Sequence, residues 1–174
     1  MQLLLIADTH LPQRALDLPA EVWTAVDAAD VVVHAGDWVS LDLVDRLEAR
    51  CDLLGVWGNN DHGTEFRKRL PEVARRTIEG VRLAVIHETG DKRHRDRYVD
   101  QKFAGTTDLL VFGHSHVPWD SVSPGGLRML NPGSCVDRRM QPKCTYMTLQ
   151  LRDGEVHDLV LHAIDPISLT SPTA

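Results

Sequence analysis

The stretch FGHSHVP, from Phe112 to Pro118, sets two histidines one residue apart, directly after an apolar run that neither helps to bury. Alternation along an extended segment aims both imidazoles to one side, a placement suited to holding a metal ion. The same arrangement recurs along the chain. LLLIA runs into Asp8 and His10, VVVHA into Asp37, LLGVW-Gly58 into Asn59, LAVI into His87, and LLVF-Gly113 into His114 and His116. Each group alone has an ordinary explanation: Gly36-Asp37 and Gly58-Asn59 are common turn dipeptides, and a lone histidine such as His87 is more often a satisfied interior residue. Five strand ends that all carry ligand-type side chains are not explained that way. Two aspartates, one asparagine and four histidines make seven donors with no thiolate among them. This mixed nitrogen and oxygen set suits manganese, iron, zinc, nickel or cobalt better than magnesium or calcium, which prefer oxygen alone.

Donors at strand ends act together only if the strands lie side by side. LLLIA, VVVHA and LLGVW are near-continuous apolar runs, as expected of strands buried on both faces of a sheet. Between them, Pro19 opens a helix through Ala28, and Ser40 caps another in which Leu41, Val44 and Leu47 recur at helical spacing. This β-α-β-α-β start favours a parallel sheet, whose carboxyl edge is where ligands bind. RTIEGVRLAVIHE reads as two strands around Glu79-Gly80, and YMTLQLRDGEVHDLVLHAI as a hairpin turning at Asp153-Gly154. A further helix is expected around Asp96 to Phe103, and LLVF as a buried strand. His157 and His162 are expected on the surface of the last hairpin.

Composition narrows the partners. The 174 residues, 43% hydrophobic and 25% charged, fit one domain over 1–164, with a tail over 165–174 that has little to bury. A net charge of −6 repels polyanions, and KRHRDR, from Lys92 to Arg97, is only a local patch, so general nucleic-acid binding is not expected. No apolar stretch approaches the roughly 20 residues of a membrane helix, and the N-terminus lacks the features of a secretory signal. Cys51, Cys135 and Cys144 are odd in number and form no C-x-x-C pair. That usage fits a reducing cytoplasm.

DTH at Asp8 to His10, GD at Gly36-Asp37, GNND at Gly58 to Asp61, His87, GHSH at Gly113 to His116 and NPGS at Asn131 to Ser134 follow one another in a familiar order. The chain resembles the calcineurin-like metallophosphoesterases, and within them the small YfcE-like bacterial and archaeal phosphodiesterases. The resemblance implies an α/β fold, a four-layer αββα sandwich with a dinuclear centre at the rim. It assigns Asp8, His10, Asp37 and His116 to one divalent transition-metal ion, and Asp37, Asn59, His87 and His114 to the other, with manganese the first expectation. Two such ions share a bridging water, lower its pKa and clamp the phosphoryl oxygens of a small phosphate ester, more readily a diester than a monoester. Their charge, against Asp8 and Asp37, is what lets an acidic protein hold a phosphate.

Where many relatives have GNH this chain has Asn60, which carries no ionisable proton, and where many have HGH it reads His87-Glu88-Thr89. Asn60 can hydrogen-bond an oxyanion, and His62 and His94 are the remaining candidates for a general acid. Asp61 is expected to orient a ligand or its neighbour, and the NPGS loop with Arg138 and Arg139 is a candidate wall on the phosphate side. A non-catalytic scaffold on the same fold is the alternative, and a homo-oligomer is compatible with either reading. A metallo-β-lactamase site would need an HxHxDH run, which Val117-Pro118 interrupts, and a Ser/Thr phosphatase would need an arginine-containing GDxVDRG segment in place of GDWVSL.

Overall fold

The computed structural model describes residues 1–165. The elements are β1 (Gln2–Ile6), α1 (Ala20–Ala28), β2 (Val31–His34), α2 (Leu41–Glu48), β3 (Asp52–Gly55), α3 (Thr64–Arg69), β4 (Val73–Ile78), β5 (Val81–Ile86), α4 (Arg95–Phe103), β6 (Leu109–Val111), β7 (Trp119–Val122), β8 (Arg128–Asn131), β9 (Cys144–Arg152) and β10 (Glu155–Ile164). One sheet has the order β10-β9-β1-β2-β3 and the other β4-β5-β6-β8-β7. Strands β1, β2 and β3 run parallel, as do β5, β6 and β8, so in each sheet the central carboxyl ends share an edge.

The continuous apolar runs exist because both faces of each sheet are covered. In β1, Leu3 and Leu5 face the interior between the sheets, where they meet Leu83, Val85, Leu109 and Val111. Leu4 and Ile6 point the other way, to a layer holding Val22 and Val26 of α1, Val44 and Leu47 of α2, and Phe66 of α3. On the far side of the second sheet, Val99 and Phe103 of α4 pack on Ala84, Ile86 and Leu110. These four layers are the αββα sandwich. The four residues from Leu3 to Ile6 are wholly buried; each such side chain contributes roughly 1.5–3 kcal/mol, so β1 is a firm support for the loop it leads into.

Local signals act where expected. The Ser40 hydroxyl accepts from the Asp42 amide at the start of α2, and Glu79-Gly80 turns β4 into β5 with both residues at positive φ. Three elements have no counterpart in the sequence reading. Helix α3 is six residues long with Phe66 its one buried side chain, and β7 and β8 are four-residue strands, the first half exposed. His162 is half-buried rather than a surface residue: its ring stacks on Tyr146 with centroids 4.6 Å apart, and its Nε2 lies 2.8 Å from the Thr148 hydroxyl. No helix among the described residues is long and apolar enough to cross a membrane. Apart from Asp165, the expected tail lies outside the described residues.

Candidate metal centre

All seven donors lie just beyond strand carboxyl ends: Asp8 and His10 after β1, Asp37 after β2, Asn59 after β3, His87 after β5, and His114 and His116 after β6. Five of them occupy the left-handed region, at φ 55° for Asp8, 47° for His10, 62° for Asp37, 69° for His114 and 57° for His116. A side chain costs about 1–2 kcal/mol there, so the surrounding structure must hold the loops in place. It does so by hydrogen bonds between loops. The Asp8 amide donates to Gly36 O at 2.9 Å and the His10 amide to Asp37 O at 3.0 Å, while the His114 amide donates to Asp8 Oδ1 at 3.0 Å.

Asp61 holds the Asp37 loop. Its carboxylate accepts from the backbone amides of Asp37 (3.1 Å), Trp38 (2.8 Å), Val39 (2.7 Å) and Gly58 (2.7 Å). Burial raises the pKa of this group, with the Asp37 charge adding to the rise, and the Val39, Gly58 and Trp38 amides oppose it. Gly58 is there because nothing larger fits: a Cβ would stand 2.3 Å from Asp37 Oδ1 and 2.4 Å from Asp37 N. Gly36, at φ 89°, is closed off in the same way, 2.8 Å from His87 Nδ1.

The donors converge as two linked groups. Nδ1 of His87 donates to Ala35 O at 2.7 Å, which turns Nε2 toward Asp37 Oδ1 at 3.3 Å and Asn59 Oδ1 at 2.9 Å. His114 Nδ1 reaches the same Asn59 oxygen at 2.8 Å. Nδ1 of His116 donates to Asp137 O, leaving Nε2 3.6 Å from Asp8 Oδ1 and 3.2 Å from His10 Nε2. The other Asp37 oxygen, Oδ2, stands 3.5 Å from His10 Nε2. Asp37 therefore presents one oxygen to each group. Within the cluster, Asp8, His10 and His116, and likewise Asp8, Asp37 and His87, bring ligand atoms within 4.8 Å of one another.

These donors fit a cation. Asp8 Oδ2 is buried with no hydrogen-bond partner, a costly state for a carboxylate that a divalent ion would relieve. Burial pushes the Asp8 carboxyl up to about 8, with His87 opposing and the Asp37 charge adding to the rise. Asp37 goes the other way: burial works against ionisation, but the His87 hydrogen bond and charge, with two Asn60 donors, hold its pKa below the usual carboxylate range. Burial lowers His10 and His114, and takes His116 down to about 4, so that these rings are held neutral, the ligand form. For His87 burial also pulls downward, but Asp37 and Asp8 outweigh it and raise the pKa.

The other sequence candidates divide. Asn60 is inside the cluster, its amide nitrogen donating to Asp37 Oδ1 at 2.9 Å and its side-chain Nδ2 to Asp37 Oδ2 at 2.6 Å. His62 and His94 are exposed, and neither side chain hydrogen-bonds to the cluster. The NPGS loop braces the site: Asn131 Nδ2 donates to Gly113 O at 2.8 Å, and the Ser134 hydroxyl to Asp8 O at 2.7 Å. Arg139 reaches toward His114 O at 3.4 Å, whereas Arg138 turns to Gln141 O. His34, at the end of β2, is wholly buried, flat against Trp38 with ring centroids 3.4 Å apart, and is occupied by the Thr9 hydroxyl and the Gly36 amide. Sequence reasoning missed Asp137 as the partner that orients His116; a backbone carbonyl leaves no side-chain signal.

An αββα sandwich with buried acidic and imidazole donors at its shared strand edge defines a class of metal-dependent phosphoesterases. Residues 1–154 match the model of the calcineurin-like phosphoesterase superfamily domain, and the chain belongs to that family. A probable metallophosphoesterase of Methanothermobacter thermautotrophicus is 35% identical over 160 residues, covering 88% of this chain and 87% of that protein. Two more distant solved structures share the fold. Vps29 of Entamoeba histolytica complexed with zinc is 22% identical with a TM-score of 0.72, covering 95% of this chain and 99% of the other. An archaeal phosphodiesterase is 18% identical with a TM-score of 0.67, covering 93% of this chain and 100% of the other.

Proposed function

We propose that the protein is a phosphodiesterase with two divalent transition-metal ions, held by Asp8, His10, Asp37 and His116 on one side and by Asp37, Asn59, His87 and His114 on the other. The observation that carries this reading is Asp37, with one oxygen toward His87 and the other toward His10. When bound, the ions supply a water of lowered pKa and electrostatic support for the phosphoryl oxygens. The chain's own residues fix the geometry. Asn60 holds both Asp37 oxygens in orientation, and Arg139, at the rim beside His114, adds positive charge where an anionic ester approaches.

A diester suits this site better than a monoester. Asn60 is committed to Asp37 and has no ionisable proton to give, while neither His62 nor His94 hydrogen-bonds to the cluster. Without a general acid, an aid worth about 10²–10⁴-fold, turnover depends on leaving groups that are stable as anions. The likeness to an archaeal phosphodiesterase supports the same choice.

The likeness to Vps29 supports a second reading, a metal-binding scaffold without catalysis. Hydrolysis of bis-p-nitrophenyl phosphate separates the two. The protein is expected to turn this diester over with manganese, nickel or cobalt, to stop on chelation and to recover when the metal is restored, and to act slowly on dialkyl phosphates. Metal binding without hydrolysis of any aryl diester would favour the scaffold, and undiminished activity after chelation would remove metals from the reaction.

A further inference from the structure

Beside the metal centre a cavity of about 300 Å³ opens against Asn59 and His87. Its walls are neighbours of the donors in sequence and in space. Trp57 stands two residues before Asn59, and Ile86 is the last residue of β5, directly before His87. Val73 of β4 and Ile86 add apolar lining, and Tyr98 and Lys102 of α4 line the cavity as well. Those two are four apart on the helix and so share a face. Lys102 Nζ donates to the Tyr98 hydroxyl at 3.0 Å, which fixes the two side chains together. Trp57 is braced as well, with the Arg67 guanidinium 4.8 Å above its ring.

We propose that this cavity is a recognition subsite for a planar heteroaromatic group of the substrate, a nucleobase or a ring of that size, attached through its ester to the phosphorus at the metal centre. The inference rests on the phosphodiesterase reading for the position of the phosphorus, and on the cavity itself for the group beyond it. Two aromatic residues and two apolar ones, Trp57 and Tyr98 with Val73 and Ile86, in one cavity favour a flat ring, which loses little freedom on binding. Glu72 and Glu88 at the cavity accept hydrogen bonds from ring N–H or amino groups, and Lys102 donates to ring nitrogen or carbonyl oxygen. The same two carboxylates repel a second phosphate. The volume lies at the low end of the roughly 300–1,000 Å³ typical of small-molecule sites, so one ring and its linker fill it and a further nucleotide does not. Trp57, Tyr98 and Lys102 are thereby specificity-determining residues.

The test compares adenosine 5′-monophosphate with ribose 5-phosphate, which share a phosphate and differ by the base, by calorimetry on the manganese-loaded protein. Wild type is expected to bind the nucleotide more tightly than the sugar phosphate. Tyr98→Ala is expected to lower nucleotide affinity at least about fivefold, the low end of what one base–aromatic stack contributes, and to leave ribose 5-phosphate unchanged. Tyr98 is 37% exposed, so this variant keeps the core intact; Trp57→Ala, which disturbs packing, serves only as a second variant. Equal affinities in wild type, or a preference that survives both substitutions, would overturn the proposal. Adenosine, which has no phosphate, probes the cavity apart from the metal centre through the indole N–H resonance of Trp57. A saturable shift with adenosine but no binding of either phosphate would uphold the subsite and count against the phosphodiesterase reading. No shift with adenosine would sink the subsite alone.

Discussion

Asp37→Ala is expected to leave neither half of the metal centre able to hold its ion and to lower diester hydrolysis by well over 100-fold. Loss of a mere outer partner of a metal ligand typically costs about 10–100-fold, and Asp37 is closer in than that. Its Oδ1 lies 3.3 Å from His87 Nε2 and its Oδ2 3.5 Å from His10 Nε2, so one truncation removes an oxygen from each group. It also strands the two Asn60 donors that hold the carboxylate. His116→Ala, by contrast, takes one nitrogen from one group and should weaken mainly that ion. Calorimetric titration with manganese reads the difference directly. The account predicts two binding events in wild type, one strong event in the His116 variant and none of comparable strength in the Asp37 variant; two intact sites without Asp37 would rule out the shared carboxylate.

The second large effect belongs to a residue that touches no metal. Asp61→Ala is expected to destabilise the metal-free protein by about 3 kcal/mol or more, because the amides of Asp37, Trp38, Val39 and Gly58 all donate to this one carboxylate. A buried donor left unpaired costs about 1–3 kcal/mol, and truncation strands several at once, with water able to reach some of them. Because Asp61 ties the Asp37–Val39 segment to Gly58, manganese affinity should fall with stability. Asp61→Asn, which keeps one acceptor oxygen, should lie between. Urea unfolding of the metal-free proteins measures this, and an unchanged midpoint for Asp61→Ala would show that the loop holds its left-handed conformation without the carboxylate.

The strand ends were legible because burial on both faces writes a continuous apolar run, and the first polar residue after such a run marks the edge of the sheet. Leu3 to Ile6 followed by Asp8 is the clearest case. The parallel β1-β2-β3 core and the hairpins at Glu79-Gly80 and Asp153-Gly154 were readable for similar reasons, since periodicity and turn chemistry are local. What was not readable depends on pairing. β7 has a half-exposed pattern that a loop could equally carry, and becomes a strand only by lining up antiparallel to β8. Six-residue α3 is held by one buried phenylalanine. At the site, the residue types were visible but their conformation was not, for nothing in Asp8, His10, Asp37, His114 or His116 announces a positive φ. Asp61 was expected to orient a ligand or its neighbour, but that it does so through four backbone amides was not visible, nor was the bracing of Asp8 and the His114 loop by the NPGS loop.

The most direct measurement is the number and position of metal ions in a crystal soaked with manganese, located by anomalous scattering. The account predicts two peaks per chain roughly 3.5–4 Å apart, as in two-metal sites generally, with Asp37 between them, Asp8, His10 and His116 around one and Asn59, His87 and His114 around the other. A single peak, or two peaks that Asp37 does not join, would contradict it.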